Sequence, residues 1–348
     1  MAVNETQAGA VVQSAPAAAM MRLVIGGYTA QAVCVMARLG VADALADGPQ
    51  PVAMIARRVG AHDFALYRLL RALVDAAVVR ELDDRRFALT PVGELLRSDV
   101  PGSLRAWAAM VGMPFWHRTW SELYEVTRTG EPSFERANGA DFAEHLARNP
   151  GDADAFAAGM GSLYTHRSVI GSYDLSRFST IVDVGGGDGA VLAGILSANP
   201  HLQGVLFDTP DAVAGAAIEL SRAGVGERCR VVDGDVFNSM PEGADLYLLS
   251  GLIHQETDDQ AVRILSACRA AMAEHSCLLI AETVLPDGNR PAIGKFMDLQ
   301  MLVFTTDGLF RTEAEIRTLL DRAGFRWVRV VQSSEVVSLV EAVPQSRS

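Results

Sequence analysis

The stretch Ile181-Val182-Asp183-Val184-Gly185-Gly186-Gly187-Asp188-Gly189 leads a β-branched run into four glycines within five positions, and Ala190 to Ala198 has helical composition. Glycine suits such a turn because it accepts positive φ and has no Cβ to hold a ligand off the backbone. Amides exposed at the start of the following helix favour an anionic or polar ligand group. Gly185, Gly187 and Gly189 therefore read as a cradle for a nucleotide-like ligand. Asp208 ends the next β-rich run, 23 residues past Gly185, where a carboxylate can accept both ribose hydroxyls. Asp183 puts a second carboxylate just before the glycines, which repels a pyrophosphate but suits an ammonium group. The same glycines satisfy the dinucleotide pattern through Ala190, so alone they leave both ligand classes open. His254 lies just beyond the run Leu246–Ser250, at the strand end where open α/β folds bind ligands.

To bring these residues together the chain must alternate strands and helices. Strand candidates are Thr180–Val184, Gly204–Asp208, Cys229–Asp233, Leu246–Ser250 and Cys277–Glu282, separated by amphipathic stretches, which predicts βαβ units and a parallel sheet. Trp327–Gln332 and Val336–Ala342 are parted by three residues, too few for a helical crossover, so they should pair antiparallel. Before them, a helical segment ending near Gly40, a short helix, a longer helix Asp63–Asp75 and a hairpin tipped by Asp83-Asp84 follow the winged-helix pattern. At 348 residues two domains are expected, and a net charge of −12 argues against general affinity for nucleic acid or anionic membranes. Cys34, Cys229, Cys268 and Cys277 have no metal-binding or redox spacing and read as reduced, mostly buried thiols. No uninterrupted apolar run reaches the roughly 20 residues of a membrane span.

An antiparallel end is foreign to a dinucleotide fold and is the ending of class I methyltransferases. With Asp183, it favours S-adenosylmethionine over NAD. From about residue 20 to the last strand, the chain resembles the small-molecule O-methyltransferases of plant caffeate and flavonoid type and their bacterial counterparts in polyketide and antibiotic tailoring. Asp183 to Gly189 looks like the family's first motif, Phe207-Asp208-Thr209-Pro210 is similar to its ribose motif, and Gly234-Asp235-Val236-Phe237 to its adenine motif. The resemblance implies that Asp235 accepts from the adenine amino group, that Val236 packs on the ring and that Ser250 lies near the cofactor. It also implies that Met160-Gly161-Ser162 belongs to a helix reaching the cofactor's methionine end. Leu252-Ile253-His254 matches the L-H-D-W motif at its histidine, the general base, and Glu282 matches the acidic residue that orients the imidazole. Gly308-Leu309-Phe310-Arg311-Thr312 resembles the G-x-E-R-T segment with Phe310 in place of a second glutamate, and Gln255-Glu256 replaces Asp-Trp after the histidine.

The implied architecture is α/β, a Rossmann-like class I methyltransferase domain with an N-terminal helical, winged-helix dimerisation domain. The expected boundaries are a disordered leader to residue 19, the dimerisation domain over 20–102, a helical linker and substrate-pocket region over 103–170, and the methyltransferase domain over 171–348. The implied reaction is in-line methyl transfer to a hydroxyl of an aromatic, polyketide-type natural product. The sulfonium already activates the methyl group, so the protein has to align the displacement and remove a phenolic proton, work suited to imidazole. Met113, Trp116, Met297 and Met301 suggest an apolar pocket for a flat ring, with Asp298 accepting a substrate hydroxyl, while His117, His145 and His166 read as surface or core residues, His166 having a pocket-facing position as its lesser alternative. Asp258 and Asp259 read as caps of the helix beginning at Gln260, not as metal ligands, and no metal is expected. A cytoplasmic homodimer formed through the N-terminal domain, without nucleic-acid or membrane partners, completes the expectation. A related protein that binds the cofactor but catalyses hydroxylation, decarboxylation or cyclisation is the alternative. A DNA-binding regulator ranks lower, because residues 1–100 hold ten Arg against ten Asp or Glu and the helix Asp63–Asp75 only Arg68 and Arg71.

Overall fold

The computed structural model describes residues 15–163, 173–332, 334 and 336–345, and the chain divides into two compact units. The first contains residues up to 116 together with 151–163; the second contains 117–150 and everything from 164 onward. The expected separate region over 103–170 is thus split between them. Its last helix, Pro150–Leu163, packs on the helix Arg105–Val111, where a Cβ on Gly159 would come within 2.6 Å of the Met110 sulfur. Residues 15–19, expected to belong to the leader, are part of the helix Ala15–Leu39, and residues 1–14 lie outside the described residues.

In the first unit, Gly40 ends the long helix with φ +70°, a conformation that glycine adopts without a Cβ clash. Leu66, Leu70 and Leu73, spaced i, i+4 and i+7, bury one face of the helix Asp63–Asp75. They meet Met36, Leu45, Ile55 and Phe87 in a single core. Strands β1 (Gln50–Pro51), β2 (Val79–Leu82) and β3 (Arg86–Leu89) form an antiparallel sheet in the order β1-β3-β2. The acidic tip turns through Asp84 and Arg85, both at positive φ. Arg68 and Arg71 lie over the Phe64 and Tyr67 rings of their own helix, 5.9 and 5.6 Å from the centroids.

The long helix departs from the expectation about membrane spans, because it is long and apolar enough by length and composition to cross one. Met20, Leu23, Val24 and Tyr28 are exposed along it. Scattered polar residues interrupt the apolar run in sequence, yet one turn of helix after another still presents apolar surface.

The second unit is built on β4 (Thr180–Val184), β5 (Gln203–Asp208), β6 (Cys229–Asp233), β7 (Leu246–Ser250) and β8 (Cys277–Glu282). A short pair, β9 (Val284–Leu285) and β10 (Arg311–Thr312), precedes the terminal β11 (Phe325–Gln332) and β12 (Ser338–Pro344). Seven of these form one sheet in the order β11-β12-β8-β7-β4-β5-β6, parallel except where β12 pairs antiparallel with both β8 and β11. Side chains alternate between two cores, as the period of two requires. Val182, Val184, Tyr247 and Leu249 enter one, while Ile181, Leu246 and Leu248 enter the other. Burial on both faces explains why these strands read as nearly unbroken apolar runs.

The strand order sets the position of the site. The chain leaves β4 for β5 and β6 on one side, then returns to β7 on the other. A crevice therefore opens at the carboxyl ends of β4 and β7, the switch point where open α/β sheets bind ligands.

Candidate active site

The glycine turn leaves β4 at that switch point. Gly185, Gly187 and Gly189 all have positive φ, at +69°, +58° and +82°, and Gly185 N–H donates to Phe207 O at 2.8 Å. Nothing lies within 4 Å of a Cβ built on Gly187, so the backbone there is bare. Asp208 braces the turn from the end of β5. Its Oδ2 accepts from Gly187 N–H at 2.9 Å and its Oδ1 from Thr209 N–H at 2.6 Å, and each oxygen has a further lone pair. Asp183 is placed otherwise than the sequence suggests. It is fully buried, neither carboxyl oxygen has a hydrogen-bond partner among the described residues, and Gly186 lies over it, since a Cβ there would meet Oδ2 at 2.6 Å. Burial, with the charge of Asp208 adding to it, pushes its pKa up to about 7. Asp183 thus stands behind the turn, not on the surface a ligand would touch.

His254 comes from the other side of the switch. β7 and β8 are parallel neighbours with Ser250 opposite Ala281, so a 28-residue separation in sequence closes to adjacent strand ends. Gly251, at φ +64°, reverses the chain after β7 and donates its N–H to Ala281 O at 3.0 Å. The short turn Ile253–Gln255 then lays the imidazole over the end of β8. His254 Nδ1 is 2.8 Å from Glu282 Oε2, and the His254 backbone N–H donates to Oε1 at 3.3 Å. Both side chains are buried, at 8% and 2% exposure, so this pair is shielded from bulk water. An ionised carboxylate only accepts, which makes Nδ1–H the donor of that bond.

A second layer fixes the turn itself. Arg311 is 3% exposed and holds the 253–258 segment with Nη1 to Ile253 O at 2.8 Å, Nη2 to Glu256 O at 2.7 Å and Nε to Asp258 Oδ1 at 2.8 Å. Leu309 N–H donates to His254 O at 2.8 Å, and Arg311 pairs with Val284 across β9 and β10. The Phe310 ring lies 4.8 Å from the imidazole, tilted by 34°, and gives it an apolar wall.

The chain has relatives among known proteins. The family model of the O-methyltransferase dimerisation domain matches residues 21–99, and that of the O-methyltransferase domain matches residues 120–326. The chain belongs to the O-methyltransferase family. It is similar to the phenazine O-methyltransferase of Lysobacter antibioticus, at 38% identity over 98% of this chain and 99% of that relative. Among solved structures, the methyltransferase of calicheamicin biosynthesis in its S-adenosylhomocysteine-bound form matches with a TM-score of 0.87 and 35% identity, covering 94% of this chain and 98% of that one. An O-methyltransferase of neocarzinostatin biosynthesis, in complex with S-adenosylmethionine and 2-hydroxy-5-methyl naphthoic acid, matches with a TM-score of 0.71 and 33% identity over 91% and 96%. The cofactor of this O-methyltransferase is S-adenosylmethionine. The bare backbone at Gly187 and the buried, unpaired carboxyl beneath the turn fit a ligand that brings hydroxyls and positive charge.

The remaining residues singled out in the sequence divide by neighbourhood. Ser250 ends β7, half-buried beside the turn to His254. Asp235 is exposed and serves its own loop, accepting from Phe237 N–H at 2.9 Å and Asn238 Nδ2 at 2.7 Å, while Val236 packs on the methyltransferase core. Met297, Asp298 and Met301 lie on the helix Gly294–Phe304 of the second unit. Asp298 already has a task, because its Oδ1 accepts from Phe310 N–H at 2.9 Å, and the Met301 methyl packs on Gly308. Met113 and Trp116 belong to the first unit, where Trp116 is 2% exposed and packs edge-on against Trp107 and Phe115. Met160, Gly161 and Ser162 lie in that unit on the helix Pro150–Leu163, and His166 falls outside the described residues. The helix expected to be capped by Asp258 and Asp259 is capped by Thr257 in a capping box with Gln260, because the hydroxyl reaches the third amide and the two aspartates stand inside the first turn. They instead pair with Arg311 and Arg322. Among the described residues no group of three or more His, Cys, Asp or Glu is placed to hold a metal ion. Arg311 was visible in sequence only as part of a motif, and its clamp on the histidine turn follows from burial and three bonds that no spacing reveals.

Proposed function

We propose that this O-methyltransferase uses His254 as general base to methylate a hydroxyl of an aromatic natural product. The observation that carries the reading is the buried His254–Glu282 pair, 2.8 Å apart, at the switch point shared with the glycine turn. S-adenosylmethionine supplies, when bound, a methyl group already activated by the sulfonium. Gly185 to Gly189 present backbone to it, Asp208 accepts the ribose hydroxyls, Asp235 and Val236 serve the adenine, and Ser250 lies alongside. Asp183 contributes negative charge from behind the turn. His254 takes the phenolic proton on Nε2, and Glu282 holds the ring by Nδ1 and stabilises the imidazolium that forms. Arg311 and Phe310 keep the turn from drifting.

An aromatic acceptor is supported by the solved relative that holds a naphthoic acid, and Met297 and Met301 are the apolar residues we assign to it. We assign the homodimer to the N-terminal unit, whose long helix exposes Leu23, Val24 and Tyr28 within the matched dimerisation domain. Free thiols at Cys34, Cys229, Cys268 and Cys277 are consistent with a cytoplasmic setting.

His254→Ala tests the base. Turnover should fall ~100- to 10,000-fold, the range for removing a general base, while cofactor affinity measured by calorimetry stays within about threefold. Full activity in that variant would end the assignment. Stoichiometric S-adenosylhomocysteine with an O-methylated product is the expected outcome; a product without a new methyl group, or with one on nitrogen or carbon, would overturn the oxygen-transfer reading.

A further inference from the structure

Thr283 follows Glu282 and is 3% exposed, yet its Oγ1 has no hydrogen-bond partner among the described residues. Its methyl is turned toward Gly294, where an added Cβ would come within 2.8 Å of Cγ2. A buried hydroxyl left without a partner is costly, and native folds nearly always supply one. Beside it is a cavity of about 10 Å³ lined by Thr283, Glu282, His254, Arg311, Leu309, Ile253 and Ile316. That volume is about one water-sized sphere, the least that admits a water. Four of the lining side chains are polar: a hydroxyl that donates and accepts, a guanidinium that donates, the His254 imidazole, and a carboxylate that accepts more bonds than the two it receives from His254.

We propose that one ordered water in this cavity bridges the Thr283 hydroxyl to the Glu282 carboxylate, making Thr283 a positioning residue for the His254–Glu282 pair. The Phe310 ring lies on the imidazole, and Glu282 holds it by Nδ1. A carboxylate bonded on one side to His254 and on the other to a fixed water does not swing about its last torsion. Its catalytic consequence rests on His254 being the base; the water itself does not.

Two measurements test this. In a high-resolution crystal structure of the cofactor-loaded protein, density for a water should lie within 3.2 Å of both Thr283 Oγ1 and a Glu282 oxygen, distances normal for such bonds. A dry cavity, or a water bonded to neither, overturns the proposal. In kinetics, Thr283→Val keeps the shape and removes the hydroxyl, and its kcat should fall roughly 5- to 20-fold with KM little changed. Thr283→Ser, which keeps the hydroxyl, should restore the rate. Equal losses in Val and Ser, or no change in Val, would mean that the hydroxyl does not position the pair. If His254→Ala remained fully active while the water was present, the base assignment would fail and the bridging site would stand.

Discussion

Replacing Asp183 by asparagine isolates the cost of the charge beneath the glycine turn. Asparagine keeps the shape and removes the ionisation. The Asp183 carboxyl is buried with both oxygens unbonded, and its pKa rises from 3.8 to about 7 on folding. Between those two values the folded protein holds a proton that the unfolded chain releases, so stability falls as pH rises, and it levels off above about 7. At 1.36 kcal/mol per pH unit, the penalty is about 2 kcal/mol at pH 5 and about 4 kcal/mol at pH 8. Ligand-free wild type should therefore lose about 2–3 kcal/mol over that range on account of this one group, and Asp183→Asn should not. Urea-dependent hydrogen exchange of peptides covering β4, corrected for the pH dependence of chemical exchange, reads the unfolding free energy of this unit alone. The quantity to plot is the difference between variant and wild type at pH 5, 6, 7 and 8. A constant difference would show that Asp183 does not take up a proton on folding, and the account of the turn given above would then be wrong. The same variant's deficit in S-adenosylmethionine affinity relative to wild type should be larger at pH 8, where wild type carries the charge, than at pH 5.

Gly186→Ala places a Cβ within 2.5 Å of Leu206 Cδ1 and 2.6 Å of Asp183 Oδ2, so overpacking should cost about 1–3 kcal/mol by the same exchange measurement. Gly187→Ala meets open space but has to hold φ +58°, for which about 1 kcal/mol is expected; a larger cost at 187 than at 186 would contradict the packing described. Arg311→Lys removes a fork that bonds two carbonyls and a carboxylate at once, and kcat should fall at least ~10-fold, with peptides spanning 253–258 exchanging faster. Unchanged exchange there would show that Arg311 does not hold the histidine turn. Leu23→Asp combined with Tyr28→Asp on the exposed face of the long helix should convert a dimer to a monomer in light scattering, leaving the exchange pattern of the second unit intact. A variant that remained dimeric would move the interface elsewhere.

Much of the active site is local and was legible as such. Each sheet strand is a short apolar run bounded by turn residues, and its period and boundaries come from pleat geometry that any such segment shares. The turn from Gly185 to Gly189 needs positive φ at three places, and glycine is the residue that accepts it, so the cradle is written in the composition of five positions. The antiparallel end followed from a connection too short for a crossover. Asp208 closes β5 beside the turn, where a strand-end residue has few places to go, and accepts from Gly187 N–H.

Other properties depend on what packs against a residue, which spacing does not contain. Asp183 precedes the turn in sequence, but Leu206 from β5 and the Gly186 backbone seal it, so it stands behind the turn's surface. Trp116, an aromatic in a bulky helical stretch, is held edge-on in the core of the first unit. The long helix was broken by polar residues when read along the chain, and only winding it showed its exposed apolar surface. Pairing His254 with Glu282 needed a resemblance, because strand order is a choice among non-local partners: β7 lies next to β8 only through the whole sheet's packing. That same order brings the glycine turn and the histidine to one crevice, and Arg311 holds the histidine turn. The sequence by itself determined the parts and the cofactor they suit; tertiary structure decided which faced the ligand and which stood behind it, because burial and electrostatics belong to neighbours brought in from distant segments.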